Sequence, residues 1–491
     1  MNEKDIDRGQ FLKLFAASAF AIVVPKGFSS LQNSGSKPNI IFVLADDMGY
    51  GDLGCYGQKQ IKTPNLDNMA SHGMRFTNCY AGDTVCAPSR NTLMTGEHTG
   101  HCFIRGNKEY YPFGEIPLPE GTMTVPMILK KAGYHTALIG KWGLGTPDKS
   151  SPRQMGFDYF YGYLGQRQAH NYYPEFLWKN EELVPLKNVV PNMNPSGSGY
   201  AKERIQYSPN LINEEVIKYI KENKNNPFFL YYALTLPHAN DEAPKDMGME
   251  VPDYGIYKKK NWPVPEKGYA QMVTMIDKYM GEINKTLKES DIYNNTIVIF
   301  SSDNGPQEEG GNNPYYFDSN GPFRGIKRDL YEGGIREPFI VQWPEKIKKG
   351  SVSDHICAFW DFMPTACDIA GIRTPRNIDG ISFLPTLLGD ENHQKQHEYL
   401  YWEFSPNHNE SKAEGKQAVR MGKWKAIRFI SDGHVELYNL YTDIGEKNNI
   451  ASQHPSVVKK LVKFMDESHS PSKLFPLKGN ESAHTNASHY N

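Results

Sequence analysis

Four apolar segments of this chain end abruptly on polar residues, and this pattern constrains the fold most strongly. The segments are residues 39–45, 135–140, 228–234 and 296–300. They are rich in β-branched and aromatic side chains and lack polar alternation, which is typical of parallel strands buried on both faces. Helical patterns lie between them, most clearly at residues 269–287. The sequence therefore predicts an α/β fold.

The polar residues at the ends of these strands predict a shared pocket. Ligands of α/β sheets bind beyond the carboxyl ends of the strands, so side chains placed there converge. Carboxylate and amide oxygens suit a hard cation such as Ca²⁺ or Mg²⁺ better than zinc. The alternative is that the acidic pairs only cap helices or form turns. The residues are Asp46 and Asp47, Lys141, His238, and Asp303 and Asn304.

Composition excludes some partners. The chain has 491 residues, 39% of them hydrophobic and 22% charged, which is typical of a globular protein. A net charge of −2 argues against nucleic acid as a partner. An anionic substrate must then be held by a few placed cations and a metal. The six cysteines match neither a zinc pattern nor a dense disulfide framework, and their spacing predicts no pairing.

The first thirty residues have the pattern of a signal peptide. Lys4, Arg8 and Lys13 precede or begin an apolar run over residues 14–24, and a polar stretch follows. The run is too short to span a bilayer comfortably, and no cysteine follows closely to carry a lipid. We expect a signal peptide at residues 1–30, export to the periplasm, and no stable membrane anchor. The alternative is a buried N-terminal helix.

The character of the chain changes near residue 372. Segments 399–404, 423–429 and 436–440 have the pattern of strands in an antiparallel sheet, and residues 457–465 that of a helix packed on it. We expect a large N-terminal domain at residues 37–371 and a smaller C-terminal α+β subdomain at residues 372–468. Residues 469–491 are expected to form a frayed polar tail.

Cys86 is predicted to begin a short helix. In the string Cys-Ala-Pro-Ser-Arg, which begins at Cys86, the proline lies just inside the predicted start of the helix. Gly96 marks the end of that helix. The backbone N–H groups at such a start favour a bound anion. The alternative is that Cys86 is a buried structural thiol.

This string resembles the C-x-P-S-R signature of the sulfatase family, in which the cysteine is oxidised to formylglycine. The motifs at residues 38–49, 300–305, 325–338 and 436–440 are similar to others of the family, in the same order. The resemblance implies an alkaline-phosphatase-like fold, in which helices sandwich a large, mixed and mostly parallel sheet. It also implies that residues 37–371 form the catalytic domain.

The resemblance further implies a site and a mechanism. Hydrated formylglycine at position 86, activated by Ca²⁺ or alternatively Mg²⁺, attacks the sulfate ester and forms a sulfo-enzyme intermediate. Such an enzyme depends on a formylglycine-generating maturation enzyme as a partner. His238 serves the leaving oxygen. The metal ligands are Asp46, Asp47, Cys86, Asp303 and Asn304, and the cations that hold the sulfate are Arg90, Lys141 and Lys327.

One position departs from the family. The usual G-K-W-H-L-G motif has Gly143 in place of its histidine, which is the usual base for sulfate release. His98 and His101 are candidates to replace that base, as are water and the leaving sulfate.

The substrate is predicted from one polar and aromatic segment. Residues 165–173 resemble a loop of exported bacterial sulfatases that act on glycans, which implies a sulfated carbohydrate, with a galactose-type sugar as the candidate. Three alternatives stay open: a phosphoester hydrolase of the same superfamily, a silent glycan-binding protein, and a structural metal-binding protein. The candidate substrate-binding residues are His101, Arg105, Arg167, His170 and Asn171.

Overall fold

Ten strands form one mixed sheet at the centre of the molecule. The structure is a computed structural model and describes residues 37–406 and 414–477. The predicted signal peptide lies outside the described residues, as does the end of the predicted tail. In chain order, the strands are β1 (Asn39–Ala45), β2 (Met74–Phe76), β3 (Cys79–Tyr80), β4 (His135–Lys141), β5 (Tyr159–Tyr163), β6 (Phe176–Lys179), β7 (Glu182–Pro185), β8 (Phe228–Ala233), β9 (Thr296–Ser302), β10 (Phe339–Gln342), β11 (Ser351–Ser353), β12 (Cys357–Ala358), β13 (Leu400–Phe404), β14 (Lys416–Met421), β15 (Trp424–Phe429) and β16 (Val435–Asn439).

The centre of the large sheet is parallel and its flanks are mostly antiparallel. The strand order is β11-β2-β10-β9-β1-β8-β4-β5-β6-β7. Strands β9, β1, β8, β4 and β5 run in one direction, whereas β10 and β6 pair antiparallel with β9 and β5. The four predicted strands are therefore confirmed as β1, β4, β8 and β9, next to one another. Their carboxyl ends meet at one edge of the sheet.

Helices cover both faces of this sheet. Along β1, Ile40 and Phe42 pack into one hydrophobic core, and Ile41 and Val43 pack into the other. Helices α2, α3 and α7 line the first core, and α1, α4 and α5 line the second. This double burial explains why β1 is apolar from Ile40 to Ala45. The predicted fold class is confirmed. The helices are α1 (Pro64–His72), α2 (Cys86–Thr95), α3 (Val125–Lys131), α4 (Ser208–Asn223), α5 (Val264–Glu289), α6 (Glu332–Ile335), α7 (Phe362–Ala370), α8 (Leu384–Leu387) and α9 (Pro455–Ser468).

A second, antiparallel sheet of four strands, β13-β14-β15-β16, lies toward the carboxyl end. Helix α9 packs on it, as predicted. The sequence pattern did not predict β14, because three of its six residues, Lys416, Gln417 and Arg420, are polar. The other face of this sheet packs on the large domain, where the Trp402 indole donates to the Ala81 carbonyl at 3.0 Å. The small sheet therefore covers residues next to α2.

The expectation that the tail frays from residue 469 is wrong for its described part. Phe475 is buried in the first core, and Ser470 donates its backbone N–H to the Gly100 carbonyl at 3.0 Å. An aromatic residue within a polar stretch explains this docking. All six cysteines lie in the described ranges, and none forms a disulfide. Within residues 37–406 and 414–477, every helix is too short or too polar to cross a bilayer.

Candidate active site

Side chains from β1, β9 and the start of α2 meet at the carboxyl edge of the large sheet. Ligand atoms of Asp46, Cys86 and Asp303 lie within 4.8 Å of one another, as do those of Asp47, Cys86 and His238. Strands β1 and β9 are parallel neighbours in a register that places Ala45 opposite Ser302, so the acidic residues after them adjoin. The predicted convergence of two distant stretches on position 86 is therefore present in the structure.

Cys86 occupies the first position of α2, as predicted. The helix is buried along its length and ends at Gly96, whose φ of 75° suits a glycine. The side-chain carbonyl of Asn107 accepts a hydrogen bond from the Ala87 N–H at 3.0 Å, which fixes the start of the helix. Burial raises the pKa of the Cys86 thiol well above its ordinary value. An unmodified Cys86 is therefore a neutral thiol and a poor nucleophile.

Each predicted sulfate-binding cation pairs with a predicted metal ligand. The Lys141 ammonium lies 2.6 Å from Asp46 Oδ2. Arg90 Nε donates to Asp303 Oδ2 at 2.9 Å. These side chains are almost completely buried, and an unpaired charge at such depth is costly. The pairs therefore keep the charges of the cluster compensated.

Lys327 forms a third pair of this kind, with Asp47. Lys327 Nζ is 2.9 Å from Asp47 Oδ2 and 2.9 Å from Glu309 Oε2. Glu309 also contacts Arg328 at 2.6 Å. The sequence reading missed Glu309, although it follows Asp303 within one strand-end loop, since no pattern distinguishes it from neighbouring Glu308.

The residues of the cluster fit a hard cation. The Oδ1 atom of Asn304 is buried and has no hydrogen-bond partner, while its Nδ2 donates to Asp47 Oδ1 at 2.7 Å. Buried amide oxygens almost always have a partner, so this one is placed to bind a cation. Burial and the neighbouring Asp46 carboxylate raise the pKa of Asp303 to about 7. A cation among these oxygens would relieve that crowding of negative charge.

His238 presents one particular nitrogen to the cluster. Its Nδ1 lies 2.7 Å from the Ala239 carbonyl, which only a protonated nitrogen can approach favourably. Nε2 lies 3.3 Å from Asp47 Oδ2 and 3.1 Å from Lys327 Nζ. Burial lowers the pKa of His238, and the Lys327 ammonium lowers it further. Nε2 is therefore the ring nitrogen that faces the cluster.

Two predicted substrate-binding residues are linked to this cluster. The His170 ring stacks on His238, with centroids 4.6 Å apart. Glu242 links His170 Nδ1, at 3.4 Å, to Arg167 Nε, at 3.0 Å. Arg167 is half-exposed, whereas Asn171, the residue after His170, is completely buried and its Nδ2 has no partner.

His101 and Arg105 lie elsewhere. His101 stacks on His98 and contacts the Asp379 carboxylate at 2.9 Å, beyond the far end of α2. Nine residues of α2 follow Cys86, so that end lies about 14 Å from it. Arg105 is bound to Glu403 of the small sheet at 2.7 Å. The proposal that His98 or His101 replaces the missing base is therefore wrong, because neither reaches position 86.

Family models match most of the chain. Residues 38–372 match the model described as Sulfatase, and residues 323–470 match the one described as N-sulphoglucosamine sulphohydrolase, C-terminal.

Individual relatives agree with these matches. The N-acetylgalactosamine-6-sulfatase of Homo sapiens is 34% identical over 373 residues, covering 72% of this chain and 66% of that protein, just under two thirds of its length. The N-acetylgalactosamine-6-O-sulfatase of Bacteroides thetaiotaomicron is 29% identical over 511 residues, covering 89% of this chain and 93% of that one.

Solved structures share the fold. A chain from work on glycosaminoglycan metabolism by Bacteroides thetaiotaomicron superposes with a TM-score of 0.70 at 27% identity, covering 88% of this chain and 99% of that one. The structure of Ps i-CgsB in complex with k-i-k-neocarrahexaose superposes with a TM-score of 0.71 at 26% identity, covering 88% of this chain and 92% of that one.

Proposed function

The chain belongs to the sulfatase family, and on this premise we propose that it hydrolyses sulfate esters of a glycan, releasing an alcohol and inorganic sulfate. One observation carries the proposal. Cys86, in the family's C-x-P-S-R string, lies within 4.8 Å of carboxylates from two stretches more than 250 residues apart in the chain. Oxygen ligands around an oxidisable side chain are what metal-assisted ester hydrolysis requires.

We propose that position 86 acts as formylglycine, made from the Cys86 thiol by a maturation enzyme. The hydrate of this aldehyde supplies the attacking hydroxyl. A bound Ca²⁺, or alternatively Mg²⁺, supplies Lewis acidity at that hydroxyl. The proposed ligands of the ion, besides position 86, are Asp46, Asp47, Asp303 and Asn304.

The buried cations then bind the sulfate group. When an ion neutralises the carboxylates, the Lys141, Lys327 and Arg90 side chains become available to the sulfate oxygens. The bond from sulfur to the sugar oxygen breaks as a bond from sulfur to the oxygen at position 86 forms. His238 Nε2 serves the departing sugar oxygen, which leaves as an alcohol after it gains a proton. The second hydroxyl at position 86 then loses its proton, the carbon–oxygen bond to the sulfate breaks, and inorganic sulfate and the aldehyde are released.

We propose that the substrate is a 6-O-sulfated sugar of the galactose type. Two relatives bear the name of an N-acetylgalactosamine 6-sulfatase, which supports this class. His170 and Arg167 lie at the rim beside His238, where they can bind sugar hydroxyls.

The deciding experiment is a panel of defined sulfated mono- and oligosaccharides incubated with matured enzyme, with free sulfate as the readout. We expect N-acetylgalactosamine 6-sulfate and galactose 6-sulfate to react fastest. Protein carrying Cys86→Ala is the blank, and Cys367→Ala is its matched control, since Cys367 is buried elsewhere in the fold. Preference for glucosamine sulfates would contradict the sugar assignment.

Two further measurements test the rival functions. Faster cleavage of phosphate esters than of matched sulfate esters would favour a phosphoester hydrolase. Intact-mass analysis of native protein reads the state of position 86, where replacement of CH₂–SH by CHO is expected. An unmodified thiol would favour a silent glycan-binding protein.

Export to the periplasm is a separate proposal, supported only by the pattern of residues 1–30. Sequencing the amino terminus of protein recovered from the periplasm tests it. We expect cleavage within this segment, and an intact Met1 would contradict it.

A further inference from the structure

The Gln166 side chain fills the space above Gly143. A Cβ atom added to Gly143 would lie 2.3 Å from Gln166 Nε2 and 2.8 Å from its Cδ. Gly143 also has a φ of 71°, which a non-glycine residue adopts only with strain. In the resembling family this position carries a histidine. Here two features of the chain, a strained backbone and a neighbouring glutamine, exclude a side chain at Gly143.

The backbone of Gln166 is held firmly. Its N–H donates to the buried Glu115 carboxylate at 3.1 Å. The Glu115 N–H in turn donates to the Gly145 carbonyl at 3.0 Å, so Glu115 ties the segment after β4 to the segment after β5. Gly143 N–H adds a bond to the Leu164 carbonyl at 3.0 Å. The Gln166 backbone therefore cannot move away from Gly143 without breaking these bonds.

The side-chain amide of Gln166, by contrast, has no partner. Gln166 is only 5% exposed, and neither Oε1 nor Nε2 makes a hydrogen bond. Buried amides almost always have hydrogen-bond partners, because an unpaired one has lost its hydrogen bonds to water and gained none in return. A preorganised amide with both polar atoms unmatched indicates a group that binds there.

The two segments that carry Gly143 and Gln166 also carry residues of the candidate active site. Gly143 follows Lys141 by two residues, and Lys141 contacts Asp46 beside Cys86. His170 follows Gln166 by four residues and stacks on His238. The Lys141 and His170 charges also act on the Glu115 carboxyl that holds Gln166, although burial is what mainly raises its pKa, to about 8.

We propose that Gln166 is a substrate-binding residue, whose Nε2–H donates a hydrogen bond to an oxygen of the bound sulfate group. This inference rests on the proposed sulfatase function. An amide neither gains nor loses a proton near neutral pH, so Gln166 positions the sulfate and does not replace the missing base. Where the family has a histidine that can titrate, this chain therefore places the neutral amide of Gln166.

The test compares Gln166→Leu with Gln168→Leu in matured, metal-loaded protein. Gln168 is a matched control, since it is buried in the same segment but donates to the Phe176 carbonyl at 3.2 Å. The probes are inorganic sulfate, whose Kd is measured by calorimetry, and 4-nitrophenyl sulfate, whose kcat and KM are measured. Thermal unfolding of the ligand-free proteins is the structural readout.

We expect Gln166→Leu to weaken sulfate binding and kcat/KM by roughly 10- to 100-fold, the range for one hydrogen bond to a charged group. Its Tm should equal or exceed that of the wild type, because an unpartnered buried amide has been removed. Gln168→Leu should lower Tm and leave the sulfate Kd unchanged.

A second experiment tests whether the Gln166 amide and a side chain at position 143 compete for the same space. Gly143→Ala pushes a Cβ against Nε2 and should lower kcat/KM in the wild type. In a Gln166→Ala background the same change should lower kcat/KM less, because only the backbone strain at position 143 remains.

The inference is overturned if Gln166→Leu lowers Tm as Gln168→Leu does and retains wild-type Kd and kcat/KM. If the wild type releases sulfate in that experiment, the proposed sulfatase function is still supported. If the wild type binds no sulfate and cleaves no sulfate ester, the proposed function fails and the inference fails with it.

Discussion

Cys86 Sγ lies 3.4 Å from Asp46 Oδ1, although the two residues are 40 positions apart in the chain. Strand β1 delivers Asp46 and the start of α2 delivers Cys86, so two rigid elements set this contact. Asp46 also binds Lys141. One carboxylate therefore touches both the proposed nucleophile position and a proposed sulfate-binding cation, and several predictions depend on it.

Metal binding should stabilise the protein through Asp46. Adding Ca²⁺ to chelator-treated protein at about 100 times its Kd should raise the free energy of unfolding by about 2.7 kcal/mol. Asp46→Asn should weaken that response, measured by denaturant unfolding with and without Ca²⁺. Asp379→Asn is the control, because its carboxylate contacts His98 and His101 outside the site. Equal responses in all three proteins would contradict a metal site at Asp46.

Lys141→Met should lower kcat/KM for sulfate esters by about 10²- to 10³-fold, as for other losses of one preorganised transition-state donor. The reason is that a buried ammonium stabilises the charge that spreads over the sulfate oxygens. Steady-state kinetics on a defined sulfated sugar measures this. Exposed Lys149, eight residues on, gives the control Lys149→Met. A wild-type rate in Lys141→Met would exclude Lys141 from the site.

The effect of His238→Gln should depend on the leaving group. A sugar alkoxide needs a proton to depart, whereas 4-nitrophenolate does not, so the loss in kcat/KM should approach about 10²- to 10⁴-fold only for the sugar ester. The ratio of the two losses is the measurement. His135→Gln, at an exposed histidine that begins β4, should change neither rate. Equal losses for both esters would contradict a role of His238 at the leaving oxygen.

The buried Asp52 should make stability fall as pH rises. Burial raises the pKa of Asp52 to about 7, although Tyr269 and Gly49 donate hydrogen bonds to it. Between about pH 4 and 7 the folded protein holds a proton that the unfolded chain has lost, so unfolding becomes easier by up to ~1.4 kcal/mol per pH unit. Asp52→Asn keeps the acceptor without titrating and should show a flatter profile.

Denaturant unfolding at pH 5, 6, 7 and 8 measures this difference. Glu250 and Glu266, whose pKa values burial also raises to about 7, contribute the same trend in both proteins. The difference between the two profiles therefore belongs to Asp52. Parallel profiles would show that Asp52 titrates normally.

The small sheet should stabilise the loop that carries Lys327. Lys425 of β15 is completely buried and lies 2.9 Å from Glu332, the first residue of α6. Lys425→Met removes one of the two cations at Glu332, where Arg336 remains at 3.0 Å, and should destabilise the protein by about 1–3 kcal/mol. Thermal and denaturant unfolding measure the loss, and Lys423→Met, at an exposed lysine nearby, is the control. An unchanged midpoint would contradict this role.

The sequence by itself predicted the architecture and the centre of the candidate site. The apolar run of β1 ending at Asp46 predicted a buried parallel strand with ligands at its end, because burial on both faces excludes polar alternation. Parallel strands place their carboxyl ends at one edge, so the meeting of Asp46 with Asp303 followed from pattern alone. The helix that begins at Cys86 was also predicted from local sequence, since a proline and a glycine mark its two ends.

Only the tertiary structure decided which side chains touch. Nothing in the chain separates Glu309, which binds Lys327, from Glu308, because their difference is the direction in which a loop turns. Likewise, His101 follows Cys86 closely in sequence but lies beyond the far end of a rigid helix. Gln166, by contrast, comes from the segment after β5 and fills the space above Gly143. Local patterns encode secondary structure, but contacts between distant segments depend on how whole elements pack.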